Sequence, residues 1–313
     1  MNLQNLCTAK NVLIICHWDC DGVCSGAMLY HLLKRQTKTL DIKTLGEQFY
    51  IPKTEFDSSY DYIFCVDMQP DPSIQDNRII YIDHHFTDKA QDYGYTLYDD
   101  SAQSCSLILW DYICQQNISF SSIIPFCAVL GFISDGGSVQ TLPRTLRPFT
   151  EHIDSFFPYI SLLNTPKRMH WNGDESVRLL CEIDSKEDFL QGSHPLVQKL
   201  ESYKDILQTY YAKSFEVKSY SQIDFVQIEE PYNIQGVLCA KYMKKHPIIV
   251  MNKHMNRCIG SLRVPQNSIF DAGEFLRNMQ EYIPEFIGGG HEKAAGLSFP
   301  QMYFDQFVQY IKK

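Results

Sequence analysis

The residues best suited to chemistry are aspartates and histidines that cluster in the first half of the sequence. One cluster has the spacing His-x-Asp-x-Asp-Gly, another is an Asp-His-His triplet, and single aspartates lie between and after them. The members are His17, Asp19, Asp21, Asp67, Asp83, His84, His85 and Asp135. Carboxylate oxygens combined with imidazoles favour manganese, magnesium or iron over a metal held by thiolates.

Several carboxylates brought close together repel one another unless cations neutralise them. A carboxylate on a central strand, such as Asp67, can bridge two ions about 3.5–4 Å apart, as in two-metal hydrolases. Such a pair serves phosphoester hydrolysis, since it lowers the pKa of a shared water to about 7 and neutralises phosphoryl charge. A single aspartate after a strand is more often a helix cap or a turn residue. The prediction of a metal site therefore depends on the two motifs and the two single aspartates, Asp67 and Asp135, occurring together.

Buried strands of a parallel sheet are expected directly before three of these clusters. Apolar runs typical of such strands lie at 12–15, 62–66 and 79–82, with helical patterns at 22–33 and 104–115 and an apolar segment of undecided type at 125–133. Ligand sites in open parallel sheets lie beyond the carboxyl ends of the strands. We therefore expect the acids, Asp135 included, to follow strand ends and to converge on one edge of the sheet.

The second half predicts a helical connection followed by a smaller α/β unit. Residues 184–213 are polar with apolar side chains at helical spacing, and new apolar runs begin near Ser219. We expect a catalytic domain at 1–190, a helical linker at 191–216 and a second domain at 217–313. Residues 217–313 carry 11 basic and 9 acidic side chains, net +2, which leaves −11 for residues 1–216.

Overall composition excludes several classes of protein. The chain has 313 residues, of which 44% are hydrophobic and 21% charged, so an ordered globular protein is expected rather than a disordered one. A net charge of −9 disfavours stable binding of long nucleic acid. No apolar run is long enough for a membrane span, and the first ten residues lack the features of a secretory signal. We expect a cytoplasmic protein.

The cysteines are an odd number, 11, and lie mostly in apolar stretches. This distribution favours buried thiols in a reducing compartment over a disulfide scaffold. Cys16, Cys20 and Cys24 recur at a four-residue period, for which an iron–sulfur site is the alternative to packing at a strand end and a helix start.

The combined motifs closely resemble the DHH phosphoesterase superfamily. They are His17-x-Asp19-x-Asp21-Gly22, Asp67, Asp83-His84-His85, Asp135-Gly136-Gly137, and a tail with Gly260-Ser261-Leu262-Arg263 and Gly288-Gly289-Gly290-His291. The resemblance spans nearly the whole chain. It implies a parallel-sheet DHH domain, a DHH-associated C-terminal domain, and two Mn²⁺ in the cleft between them, with Mg²⁺ or Co²⁺ as substitutes.

The resemblance also implies residue roles. One ion would be held by His17, Asp19 and Asp67, and the other by Asp21, Asp67, His84 and Asp135. Asp83 would orient its neighbours and His85 would face the scissile phosphate, which makes Asp67, Asp83, His84 and His85 the predicted catalytic residues. Substrate phosphate would be bound by His85, Ser261, Arg263, Gly288, Gly289, Gly290 and His291.

Two features of the motifs depart from the usual pattern of the family. The single residue between His17 and Asp19 is similar to RecJ-type exonucleases, whereas short nanoRNase-type members usually have a longer gap. Asp135 is followed by Gly-Gly rather than the more usual Thr-Gly.

The predicted function is a manganese-dependent phosphodiesterase or exonuclease that hydrolyses short oligonucleotides, nanoRNase-like, with 3′-phosphoadenosine 5′-phosphate as a further substrate. The alternatives are a cyclic di-AMP phosphodiesterase, a RecJ-like single-strand exonuclease, and a catalytically silent nucleotide-binding regulator. RecJ-like enzymes carry an additional oligonucleotide-binding domain, for which we expect no room here. The expected partners are small nucleotides, without membrane or stable long nucleic acid, and a homodimer is left open.

Overall fold

The protein folds as two units, residues 1–204 and residues 205–313, each with its own sheet. The structure is a computed structural model that describes residues 3–46, 50–71, 73–85, 93, 95–151, 153, 155–220 and 222–312. The division between the units falls inside a long helix, within the stretch expected to connect two domains. The expected boundaries at 190 and 216 stay a prediction.

The first unit is built on a parallel sheet of five strands in the order β2-β1-β3-β4-β5. The strands are β1 (Asn11–His17), β2 (Thr39–Leu45), β3 (Tyr62–Val66), β4 (Ile79–Asp83) and β5 (Tyr95–Tyr98). Successive side chains of β1 enter two different cores, since Val12 and Ile14 belong to one cluster and Leu13 and Ile15 to the other. The sheet is therefore packed on both faces, which explains its continuous apolar runs.

Helices surround this sheet and carry several site residues. They are α1 (Leu3–Cys7), α2 (Cys20–Leu33), α3 (Cys105–Gln115), α4 (Ile123–Ser134), α5 (Phe157–Leu163), α6 (Thr165–His170), α7 (Asp174–Glu182), α8 (Lys186–Leu190) and α9 (Pro195–Tyr211). The segment left undecided, 125–133, belongs to α4, whose side chains are buried nearly all round. Complete burial removes the polar face that gives a helix its periodicity.

The second unit has a mixed sheet of six strands in the order β10-β11-β9-β8-β7-β6. The strands are β6 (Lys218–Ser219), β7 (Asp224–Ile228), β8 (Ile248–His254), β9 (Arg257–Arg263), β10 (Ile287–His291) and β11 (Ala294–Pro300). Only β7 and β8 pair in parallel among these described strands. Its helices are α10 (Gln235–Tyr242), α11 (Ala272–Met279) and α12 (Phe304–Ile311). The predicted α/β class with a parallel-sheet domain and a second, smaller domain is confirmed.

Two further observations bear on the expectations from composition. All 11 cysteines are free thiols, of which Cys114 is exposed, Cys181 half-buried and the other nine buried. None of the helices in the described ranges combines the length and the apolar character needed to cross a lipid bilayer.

Candidate metal centre

The turn between β1 and α2 brings the first three candidate ligands together. His17 ends β1, and Asp19 caps the N-terminus of α2 through its Oδ1, which accepts the Gly22 N–H at 3.1 Å. A Cβ at position 22 would lie 2.4 Å from the His17 carbonyl oxygen, so only glycine permits this close approach. The helix begins so tightly after the strand that Asp21 follows on its first turn.

Asp67 lies directly after the central strand β3 and has a left-handed backbone, with φ of +58°. Its N–H donates to the Ile82 carbonyl at 2.9 Å, which ties it to β4. This conformation costs a non-glycine residue about 1–2 kcal/mol, and such strain is concentrated at functional sites.

The two oxygens of Asp67 face different histidines. Oδ2 lies 3.8 Å from His17 Nδ1, which is itself 3.0 Å from Asp19 Oδ2. Oδ1 lies 3.5 Å from His84 Nε2, which is 3.3 Å from Asp135 Oδ2. Asp67 therefore joins two groups of donors, one on each side of its carboxylate.

Donor atoms within 4.8 Å of one another define these groups. They are His17, Asp19 and Asp67; Asp21, His84 and Asp135; and Asp67, Asp83, His84 and His85. None of the three, searched over the described residues, includes a cysteine. Apart from Asp67's place in the second set, the first two contain the residues expected to hold the two ions.

Asp21 is held by the N-terminus of α3. Its Oδ2 accepts the Cys105 N–H at 2.7 Å and its Oδ1 accepts the Ser106 N–H at 3.1 Å. Helix α4 also comes very close, since a Cβ on Gly131 would lie 2.3 Å from Asp21 Oδ1. Each oxygen keeps one lone pair for a further partner.

Asp135 does not follow a strand, so the expectation that every acid lies at a strand end is wrong for this residue. It caps the C-terminus of α4, and its carbonyl oxygen accepts the Gln103 Nε2–H at 2.6 Å. The apolar run before it resembles a buried strand because α4 is buried on all sides. The side chain nonetheless reaches His84.

The hydrogen bond of His84 identifies the ring nitrogen available to a metal. Its Nδ1 lies 3.3 Å from the Ala102 carbonyl oxygen, which can only accept, so Nδ1 carries the proton. Nε2 is then the atom that faces Asp67 and Asp135, and it can bind a metal once it has lost its proton. A histidine that donates one ring N–H to a carbonyl and offers the other nitrogen is the usual arrangement in metal sites.

Asp83 differs from His84 because both of its oxygens already accept hydrogen bonds. Oδ1 accepts the N–H groups of His84 and His85 at 2.7 and 3.1 Å and the His85 Nδ1–H at 2.8 Å. Oδ2 accepts the Tyr81 hydroxyl at 2.6 Å. These bonds hold the pKa of Asp83 below its ordinary value although burial opposes this. Asp83 orients its neighbours and has little capacity left to bind a cation.

The pKa values of the clustered aspartates indicate that positive charge would stabilise the site. Burial and the neighbouring Asp135 raise the pKa of Asp21 to about 7. Burial, Asp21 and Asp19 raise the pKa of Asp67 well above its ordinary value. Carboxylates that resist ionisation in this way are those that a nearby cation would stabilise.

The hydrogen-bond inventory points in the same direction. Among the described residues, His17 Nδ1, Asp67 Oδ1 and His84 Nε2 are buried atoms that make no well-directed hydrogen bond, although the nearest carboxylate oxygens lie 3.0 Å from His17 Nδ1 and 3.3 Å from His84 Nε2. Buried polar atoms are rarely left in this state unless a water or an ion satisfies them. All three belong to the groups around Asp67, so the residues fit a pair of divalent cations with oxygen and nitrogen ligands.

The second unit presents a separate candidate surface on its sheet. Ladder pairing aligns Arg263 on β9 with Ala294 on β11, and Ala294 with His291 on β10. The next row aligns Ser261, Gly296 and Gly289. Residues paired across strands share a face. Polar Ser261, Arg263 and His291 therefore surround a floor of glycine and alanine.

Gly288 and Gly290 alternate to the opposite face, where Gly288 packs near Leu276 of α11. The glycine run is thus part of an edge strand, where the backbone is paired on one side only. Helix α10 adjoins the polar face, since a Cβ on Gly236 would lie 3.6 Å from Arg263 Nη2 and 3.7 Å from Ser261 Oγ.

Comparison with known proteins identifies the family. Residues 11–130 match the model of the DHH family, N-terminal domain. This match, which lies within the first unit, supports the resemblance to the DHH phosphoesterase superfamily that the motifs predict. A search of curated proteins found no match to the chain.

Solved structures show that the likeness of fold extends over both units. RecJ from Thermus thermophilus in complex with Mn²⁺ is 17% identical, with a TM-score of 0.70 over 99% of this chain. The chain spans only 53% of that RecJ. Exonuclease RecJ bound to manganese is 17% identical, with a TM-score of 0.65 over 99% of this chain and 91% of the other.

A third structure is of similar size to this chain. The pGpG-specific phosphodiesterase PggH from Vibrio cholerae is 15% identical, with a TM-score of 0.53 over 97% of this chain and 98% of its own. At these identities the likeness concerns the fold alone. It confirms the expected two-domain α/β fold.

Three sets of contacts that hold Asp21, Asp135 and Asp83 in place were not found from the sequence. The Cys105 and Ser106 amides hold Asp21, Gln103 holds the backbone of Asp135, and the Tyr81 hydroxyl holds Asp83. The serine that caps α3 was a usable signal for the first, because a capped helix N-terminus attracts a carboxylate. No pattern in the sequence marks the other two.

Proposed function

We propose that this chain is a manganese-dependent phosphodiesterase that removes nucleotides from short oligonucleotides and also accepts 3′-phosphoadenosine 5′-phosphate. The observation that carries the proposal is the position of Asp67, whose two oxygens face the His17–Asp19 pair and the His84–Asp135 pair. A carboxylate shared between two donor groups suits a two-metal hydrolase.

In this proposal one Mn²⁺ is held by His17, Asp19 and Asp67, and the other by Asp21, Asp67, His84 and Asp135. Mg²⁺ and Co²⁺ also suit these oxygen and imidazole donors. When bound, the ions supply a hydroxide at neutral pH and neutralise the phosphoryl oxygens.

His85 is the proton donor in this proposal. Its Nδ1 is 2.8 Å from Asp83 Oδ1, which fixes the ring, and the side chain is 43% exposed beside the cluster. The charges of Asp83 and Asp67 outweigh burial and raise the pKa of His85 to about 9. In the metal-free protein both ring nitrogens therefore carry protons at neutral pH, and Nε2–H, which does not face Asp83, is the group that would donate toward the phosphate or the departing oxygen.

The polar face of the second unit is the proposed phosphate-binding surface. Arg263 and His291 bind the anion, Ser261 adds a hydroxyl, and the edge-strand backbone of Gly288–Gly290 approaches it. The floor of Gly289, Ala294 and Gly296 leaves room for a sugar or a base. In the domain division that we propose, residues 1–190 are catalytic, 191–216 connect, and 217–313 bind substrate.

The charge of the chain favours short substrates. Residues 1–216 carry a net charge of −11, which opposes binding of a long phosphate backbone. PggH, which is described as a pGpG-specific phosphodiesterase, has a similar fold over 97% of this chain.

A hydrolysis panel with manganese tests the proposal. The substrates are RNA and DNA from 2-mers to 20-mers, cyclic dinucleotides and 3′-phosphoadenosine 5′-phosphate, with Asp67→Asn as the inactive control. We expect turnover that falls steeply with length. A rate that rises with length would indicate a RecJ-like exonuclease, and preferred turnover of cyclic di-AMP would indicate the cyclic-dinucleotide alternative. Nucleotide binding without turnover would indicate a regulator.

A further inference from the structure

Tyr81 is a buried side chain of β4 whose hydroxyl is bonded to Asp83. The hydroxyl donates to Asp83 Oδ2 at 2.6 Å, a short bond of the kind that a carboxylate accepts. Tyr81 and Asp83 are two residues apart on the strand, so their side chains share a face of the sheet. The ring is fixed by Tyr98, which stacks at 6.2 Å with an interplanar angle of 20°.

The bond from Tyr81 affects His85 because the other oxygen of Asp83 holds the His85 ring. Oδ1 accepts two backbone N–H groups and the His85 Nδ1–H, all within 3.1 Å. Rotation of the carboxylate about χ2 would break those bonds. The Tyr81 hydroxyl donates to Oδ2 and so adds a further restraint against that rotation.

We propose that Tyr81 is a positioning residue that acts through Asp83 to hold the His85 ring in its working orientation. The proposal rests on the proposed function in which His85 donates a proton. Packing alone does not require the hydroxyl, since a phenylalanine would fill the same space against Tyr98. A buried tyrosine hydroxyl is retained where it has a partner to satisfy.

The test compares Tyr81→Phe with Tyr112→Phe in the full-length chain. Tyr112 is a matched control, because its buried hydroxyl also makes one hydrogen bond, accepting the Leu3 N–H at 2.7 Å in the same unit. With manganese and a dinucleotide substrate, we expect Tyr81→Phe to lower kcat roughly 10- to 100-fold with little change in KM. Tyr112→Phe should keep kcat within about twofold. Equal kcat values in the two variants would overturn the proposal.

A second readout does not need turnover. In ¹⁵N-histidine-labelled, magnesium-loaded protein, the His85 Nδ1 proton is assigned by its absence in His85→Asn. We expect that resonance to shift or broaden in Tyr81→Phe and to stay in place in Tyr112→Phe. An unchanged resonance in Tyr81→Phe would refute the positioning role, even if the wild type proves inactive and the proposed function fails.

A double-mutant cycle separates action through Asp83 from an independent effect. If Tyr81 acts through Asp83, adding Tyr81→Phe to Asp83→Asn should lower kcat no further. Multiplying losses would contradict the proposal. Should Tyr81→Phe fail to fold, 3-fluorotyrosine at position 81 keeps the ring and makes the hydroxyl a stronger donor, so the His85 resonance should still move. No movement would again refute it.

Discussion

The metal-free protein should lose stability as the pH rises from 5 to 9, and manganese should restore it. Folding raises the pKa of Asp21 from 3.8 to about 7 through burial and the charge of Asp135. It also raises the pKa of His84 from 6.5 to about 9, because Asp135 and Asp21 outweigh the effect of burial. Both groups therefore hold protons in the native state that the unfolded chain has released.

For both residues, a rise in pH lowers the stability of the folded state. Asp21 makes no difference below about pH 4, and its ionisation then costs stability that grows until about pH 7. His84 contributes stability that is complete below about pH 6.5 and is lost as the pH passes about 9. The shifts correspond to about 4 kcal/mol for Asp21 and about 3 kcal/mol for His84. Since the two share their neighbours, we expect a total nearer the larger value than their sum.

Urea denaturation at a series of pH values, with chelator and with manganese, measures this effect. With chelator, the free energy of unfolding should fall by several kcal/mol across the range. With manganese, the decline should shrink, because the ions replace the protons and bind more tightly as the pH rises. Asp135→Asn removes the shared neighbour and should make the chelator curve shallower, while the part that comes from the burial of Asp21 remains. A flat curve for the wild type in chelator would refute this account of the cluster.

Three substitutions test individual contacts. Asp67→Asn keeps a side chain that tolerates φ of +58° but removes the shared carboxylate. Activity should therefore fall about 1,000-fold or more, and manganese occupancy, measured by mass spectrometry, should drop. Full activity would exclude the two-metal site. Gly131→Ala should displace Asp21 and lower the manganese content. Gly26→Ala, where a Cβ would lie 2.7 Å from the Cys16 Sγ, should lower only stability. Arg263→Ala should raise KM about tenfold at unchanged manganese content, and an unchanged KM would remove it from the substrate site.

The strands that carry the site could be predicted, whereas the edges of the sheet could not. β1, β3 and β4 are continuous apolar runs because both of their faces are buried. β2 and β5 lie at the edges and are half-exposed, so their mixed sequences give no clear period. Local sequence records burial on two faces, but it does not record pairing at an edge.

The same limit applies to the second unit. Arg263 and His291 stand out by residue type and by their glycine-rich surroundings. Their alignment through Ala294 depends on the register of three strands, which is a long-range property of the sheet. Sequence suggested that both bind phosphate, and only the ladder shows that both lie on one face.

Proximity alone does not decide which of the clustered aspartates bind metal. The lone pairs that hydrogen bonds leave free on each carboxylate are a better criterion. Asp83 lies within 4.8 Å of the other donors, yet four hydrogen bonds occupy its oxygens. Asp67 lies in the same group with a buried oxygen that no described residue satisfies. Asp21 is intermediate, with one amide on each oxygen. Unsatisfied capacity therefore supports the proposal that Asp67 and Asp21 bind the ions while Asp83 orients the histidines. Residue type alone cannot make this division, because all three are aspartates.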